Sequence, residues 1–111
     1  MPLQITLRHL AHSDALAAHI QRRVDKLEHL FDRMISCHVV VELSGHHHHH
    51  GDQYRVSINV GLPGRALVVG HPPSDERNLT SAHAAADLAF DEAARQLEDW
   101  IRRRGARHAA A

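Results

Sequence analysis

Residues 35–62 read ISCHVVVELSGHHHHHGDQYRVSINVGL, and the alternation in this stretch decides the fold. Ile35, Cys37, Val39, Val41 and Leu43 alternate with Ser36, His38, Val40 and Glu42. Beyond the histidines, Tyr54, Val56, Ile58, Val60 and Leu62 alternate with Arg55, Ser57, Asn59 and Gly61. In a strand, successive side chains point to opposite faces. Two strands patterned this way belong to a sheet with one buried face and one wet face. The intervening SGHHHHHGDQ then reads as the hairpin connection between them.

Working outward, Leu3, Ile5 and Leu7 alternate with Gln4, Thr6 and Arg8, a short strand. Ser13 is placed to cap a helix that the spacing carries to about Met34. Leu16, Ile20, Val24, Leu27, Phe31 and Met34 form its apolar stripe, at steps of three and four. On the other side, Pro63-Gly64 in LPGR suits the middle of a type II turn. Ala66 to Val69 follows as a fourth strand and HPPSDERN as a loop. A last helix is expected from about Asn78 to Arg104, with Gly105 as its stop. Its stripe is Leu79, Ala82, Ala86, Phe90, Ala93, Leu97, Trp100 and Ile101. The order β-α-β-β-β-α predicts an α+β fold: a two-layer sandwich, a four-stranded mixed sheet with both helices on one face. A right-handed first crossover makes the first two strands parallel. Residues 1–105 read as one domain and 106–111 as a flexible tail.

Composition narrows the function. With 13 Lys+Arg against 13 Asp+Glu, the net charge announces no polyanionic partner, so any such surface must be made by segregation. A single cysteine, Cys37, precludes an internal disulfide and alternates into the core. No apolar run approaches the ~20 residues of a membrane span, and the start MPLQITLRHL lacks the pattern of a secretory leader. A cytoplasmic protein with no membrane partner is expected. No nucleophile–base pair, phosphate-cradling glycine loop or distinctive carboxylate pair is present, so neither an enzyme, a small-molecule substrate nor a cofactor is expected.

The first helix segregates its charge. At ~100° per residue, Arg22, Lys26, His29 and Arg33 fall within a band of roughly 60° opposite the buried stripe, with His19 at its edge. Asp25, Glu28 and Asp32 gather on one flank, and Arg23 borders the core on the other. A solvated face, its stems covering apolar edges, accounts for such a row. So does a ridge that meets successive phosphates. The last helix mixes its signs: Asp91–Arg95, Glu98–Arg102 and Asp99–Arg103 are acid-first pairs four apart, the stabilising orientation. Only Arg102, Arg103, Arg104 and Arg107 follow without a further acid.

LQIT, then KLEHLFDRM leading into VVVEL, then YRVSINVGLPGRALVV, then AFDEAARQLEDWIRR together resemble the short ribosome hibernation-promoting factors. That family includes ribosome-associated inhibitor A and the proteins once called sigma-54 modulation proteins. The likeness runs from Leu3 to about Arg104. It implies a stress-response translation inhibitor that binds rRNA between head and body of the small ribosomal subunit, in the channel of messenger and transfer RNA. Carried over by position, the family's RNA-contacting cations fall on Arg23 and Lys26 in the first helix and on Arg95 and Arg103 in the second. The helical wheel adds Arg22 and Arg33, and the one-sided C-terminal run adds Arg102 and Arg104. Glu92 and Asp99 stand where relatives often carry lysine, a departure that bears on affinity. The chain stops soon after the second helix, so the extra C-terminal domain with which long members pair ribosomes is not expected. The sequence leaves monomer and dimer open.

The run His46, His47, His48, His49 and His50 admits several readings: a metal site, a cloned tag, filler at a hairpin tip, or a mobile loop that meets phosphates. Metal binding needs convergent ligands held by a second shell, which a run between glycines does not supply. The phosphate-meeting loop is therefore preferred, with weak metal contacts as an accessory property and no physiological metal. Two alternatives to ribosome binding stay open. One is a small metal-handling protein using this hairpin; the other is a protein-interaction module on the same fold.

Overall fold

The computed structural model describes the backbone of residues 1–47, 51–70 and 81–110, and their side chains except at 44–47, 51–52 and 105–110. The elements follow the expected order: β1 (Leu3–Arg8), α1 (Asp14–Leu30), β2 (Ser36–His47), β3 (Gly51–Leu62), β4 (Arg65–Gly70) and α2 (Ala82–Ala110). The four strands lie side by side in chain order. β1 runs parallel to β2, with Leu3 beside Cys37 and Arg8 beside Glu42. The other two pairings are antiparallel.

α1 begins as its sequence dictates. The Ser13 hydroxyl accepts the Leu16 amide at 3.2 Å, and Asp14 lies in the first turn, where a negative charge meets the helix dipole favourably. Its end differs from expectation. Phe31 is already extended, at φ −153°, so the helix stops at Leu30 rather than near Met34. The reason lies in the parallel register. β2 must re-enter the sheet at Ser36 beside β1, and residues 31–35 are spent on the reversal, fastened where the Ile35 amide donates to the Gly61 carbonyl at 2.8 Å. Phe31 and Met34 are buried all the same, from a turn and not from a helix.

The hairpin is longer than the alternation suggests. β2 and β3 stay paired past Leu43 and Tyr54, with His46 opposite Asp52 and His47 opposite Gly51, after a register shift between Leu43 and His46. Main-chain pairing asks only for N–H and C=O groups, so polar residues prolong a hairpin as readily as apolar ones. His46 and His47 are therefore strand residues, not part of a loop; His48, His49 and His50 lie outside the described residues. At the next reversal Gly64 takes φ +73°, the conformation the third position of a type II turn demands.

α2 also departs at both ends. The Ser81 hydroxyl accepts the Ala84 amide at 3.3 Å and the Ser81 carbonyl accepts the Ala85 amide, which caps the helix just before Ala82. The start expected at Asn78 falls outside the described residues, as does Leu79. At the other end the helix continues through Gly105 to Ala110. Glycine within a helix costs about 1 kcal/mol relative to alanine, and the alanines around it carry the helix on.

The core forms where the apolar faces meet. Leu16, Ile20, Val24 and Leu27 of α1 and Phe90 and Leu97 of α2 pack on Cys37, Val39, Val41, Val56, Ile58 and Val60. Ala85, Ala86, Ala89 and Ala93 keep α2 close to the sheet and to α1. None of the described polar or charged residues is buried as a whole. The opposite sheet face is open, and there Thr6 Oγ1 and His38 Nε2 are hydrogen-bonded at 2.9 Å across β1 and β2.

Candidate nucleic-acid interface

The helix that buries Ile20, Val24 and Leu27 turns Arg22 and Lys26 outward, one turn apart and both exposed. Neither has a carboxylate within ion-pairing distance among the described residues. His29 continues the row, its Nδ1 bonded to the Asp25 carbonyl at 2.8 Å. Arg33 does not continue it along the helix, because the helix has ended. It projects from the following turn with its guanidinium 5.2 Å from the centroid of the Phe31 ring.

The acids of α1 keep to their own flank. Asp25 takes a hydrogen bond from the Gln21 amide at 3.0 Å, and Glu28 has no cationic partner among the described residues. Glu28 is felt in the core instead. Burial, with the Glu28 charge adding to it, pushes the Cys37 thiol up to about 11. A buried thiol held this far above its ordinary value is a packing group, not a nucleophile.

Arg23, on the other flank, is committed to α2. Its Nη2 reaches Asp91 Oδ1 at 2.6 Å and its Nη1 reaches Asp87 Oδ1 at 3.3 Å, while the guanidinium lies 5.8 Å from the Phe90 centroid. His19 Nε2 shares Asp87 Oδ1 at 2.7 Å, and the His19 and His83 rings stand 5.1 Å apart. Sequence reasoning missed this seam. Its signal is present: His19 and Arg23 are four apart on one helix, Asp87 and Asp91 four apart on the other, each pair at the edge of an apolar stripe.

On α2 the cations are occupied. Arg95 turns back to Glu92, with Nε at 3.0 Å from Oε2, rather than to Asp91, which Arg23 has taken. Glu92 thereby holds the Arg95 guanidinium in its charged form even more firmly than usual. Asp99 serves Arg103 at 3.0 Å, as the spacing predicts, and also Arg102 at 3.8 Å, so the Glu98–Arg102 pair does not form. Arg104 stacks 5.3 Å from the Trp100 centroid, and its buried Nη1 has no hydrogen-bond partner among the described residues. Trp100 in turn meets Phe31 edge to face at 5.2 Å. Of the eight candidate cations, then, Arg22 and Lys26 have no carboxylate partner among the described residues, Arg33 and Arg104 lie over aromatic rings, and Arg23, Arg95, Arg102 and Arg103 face carboxylates.

No three His, Cys, Asp or Glu side chains are placed to hold a metal among the described residues. No described helix is long and apolar enough to cross a membrane.

Residues 3–104 match the model of the family described as sigma 54 modulation protein / S30EA ribosomal protein. No curated protein matches the chain. The crystal structure of the N-terminal domain of Protein Y from Thermus thermophilus is similar, with a TM-score of 0.69 and 24% identity over 90% of this chain and 99% of that one. A ribosomal subunit interface protein from Coxiella burnetii gives a TM-score of 0.72 and 18% identity over 91% of this chain and 98% of that one. At such identities the two structures establish a shared fold.

Proposed function

This chain belongs to the sigma 54 modulation protein / S30EA ribosomal protein family, and from that premise we propose that it is a non-enzymatic, ribosome-associated translation inhibitor that binds small-subunit rRNA in the channel of messenger and transfer RNA. One observation carries the reading at the level of residues. In a chain whose charges balance overall, Arg22 and Lys26 stand side by side on an exposed helix face with no carboxylate within ion-pairing distance among the described residues. A cation pair of this kind gains most from a polyanion, since each phosphate it neutralises releases a condensed counterion. Arg33 extends the contact from the turn. Arg95, Arg102, Arg103 and Arg104 supply a second, weaker set on α2, where an approaching phosphate must compete with Glu92 and Asp99.

Co-sedimentation with purified small subunits across a salt series tests this directly. Binding should weaken with a log–log slope of roughly −0.9 for each phosphate engaged, borrowing the duplex-DNA coefficient. Bound protein should also exclude an mRNA carrying a peptidyl-site tRNA. Failure to sediment at low salt removes the reading; sedimentation without mutual exclusion moves the site out of the channel.

A further inference from the structure

Arg23 has the residue type and the position of an RNA contact, yet its surroundings are those of a buried strut. Only 19% of its side chain is exposed, both terminal nitrogens are engaged, and the aromatic ring of Phe90 lies beneath it. The carboxylates it meets are far more open, at 43% for Asp87 and 67% for Asp91. A phosphate drawn toward Arg23 would therefore encounter one positive charge behind two negative ones. Moving the guanidinium outward would break two charge-assisted bonds, leaving Asp91 without this partner and Asp87 with His19 alone.

We propose that Arg23 is a positioning residue for RNA binding and not a phosphate contact. With Asp87 and Asp91 it locks α2 against α1, and so fixes the distance between Arg22 and Lys26 on one helix and the arginines on the other. The proposal rests on the ribosome-binding reading above. The clamp flanks Phe90 on a face of α2 whose other buried side chains are small, Ala86, Ala89 and Ala93. Alanine contacts set a close approach but resist sliding weakly; directional bonds from one guanidinium to two carboxylates one helical turn apart define a register. His19, bonded to the same Asp87 oxygen, adds a second strut from α1.

The test separates position from charge. Arg23→Gln, Asp87→Asn combined with Asp91→Asn, and Lys26→Gln are compared with wild type in small-subunit co-sedimentation over a salt series. Losing a phosphate contact lowers the slope of log affinity against log salt by about 0.9, as expected for Lys26→Gln. Losing the clamp weakens binding by roughly 5-fold, the equivalent of one well-placed ion pair, with the slope unchanged. Arg23→Gln and the double asparagine variant should both behave in this second way. Amide exchange on the free proteins gives a ribosome-independent measure: both clamp variants should lose protection over the first three turns of α2, and Lys26→Gln should not. A slope reduced in Arg23→Gln overturns the proposal, as does tighter binding by the asparagine variant, which would mean that the acids merely mask a cation. Unaltered binding or unaltered exchange in Arg23→Gln overturns it too. Where Arg23→Gln fails to fold, Arg23→Lys retains the charge without reaching both acids and must still weaken binding and lose exchange protection in α2; wild-type behaviour in both overturns the proposal. Wild-type protein that does not sediment defeats the ribosome reading itself, whatever the exchange data show.

Discussion

α1 and α2 are both amphipathic and both rich in arginine, but they dispose of their charge in opposite ways. α1 separates its signs, with Arg22 and Lys26 on the outer face, Asp25 and Glu28 on one flank, and Arg23 handed across the seam to α2. α2 interleaves its signs, so that Arg95, Arg102 and Arg103 each face a carboxylate within one turn. An interleaved helix satisfies itself, although exposed pairs of this kind are screened by water and each adds little to stability. A separated helix gains nothing comparable alone and holds its favourable electrostatics in reserve for a partner. The two helices teach that the number of cations on a surface matters less than how many carboxylates stand within reach of them.

The largest effect should come from reversing the separated face. Arg22→Glu with Lys26→Glu is expected to weaken small-subunit binding by at least about 100-fold near 0.1 M salt, since two attractions become repulsions beside a phosphate chain. The same exchange at Arg95 and Arg103 should cost no more than roughly 10-fold, because those cations are already compensated. Thermal unfolding of all variants should be close to wild type, as the four side chains are exposed. Equal losses at the two helices would erase the distinction between them.

The unpaired acidic flank of α1 has its own readout in the core. The Cys37 thiol is raised to about 11 by burial and by the nearby Glu28. In the unfolded chain a thiol titrates near 9.0, so between these values the folded state holds a proton that the unfolded state has released. Stability from this source is complete below the lower value and is lost as pH rises through the upper one, on the order of 2–3 kcal/mol in all. Denaturant midpoints at pH 8 and pH 10.5 should separate clearly for wild type and much less for Cys37→Ala. Glu28→Gln should narrow the gap slightly.

Much of this architecture was legible in the sequence because its causes are local. The period-two alternation around Val39 and Ile58 and the stripe Leu16, Ile20, Val24, Leu27 each state a buried face within a few residues of chain. Helix ends were less legible for a definite reason. Phe31 and Met34 fit the helical stripe in spacing and are buried, yet they reach the core from the turn that returns the chain to β2. The partners of Arg23 and Arg95 were not legible at all. Local pairing rules assign Asp91 to Arg95, and only the docking of α1 on α2 brings a competing guanidinium to that carboxylate. The free cations and the partner of Arg103 could be read from one helix; the partners of Arg23 and Arg95 required two.

A smaller effect probes α2 from the other side. Glu92→Gln with Asp99→Asn removes the charges that occupy Arg95, Arg102 and Arg103. If interleaving is what silences these arginines, small-subunit affinity should rise by roughly 3- to 5-fold, with a steeper salt dependence as further phosphates are engaged. The isolated protein should lose a little helix stability at the same time, because the i,i+3 and i,i+4 pairs are gone. Unchanged affinity would mean that α2 lies outside the contact, leaving α1 and the turn at Arg33 as the whole of it.

The smallest expected effect concerns the five histidines, which differ from both helices in carrying a charge that depends on pH. An imidazole of ordinary pKa, about 6.5, is roughly one-tenth protonated at pH 7.5 and three-quarters protonated at pH 6. Acidification therefore adds several positive charges to the tip of the β2–β3 hairpin, where His46 and His47 extend the paired strands. If that tip meets phosphates, binding should tighten by roughly 2- to 4-fold between these values, the modest gain proper to exposed and screened charges. Replacing His46–His50 with serine should remove the pH dependence and leave the affinity at pH 7.5 unaltered. Persistence of the dependence in the serine variant would place the titratable part of the contact outside this run.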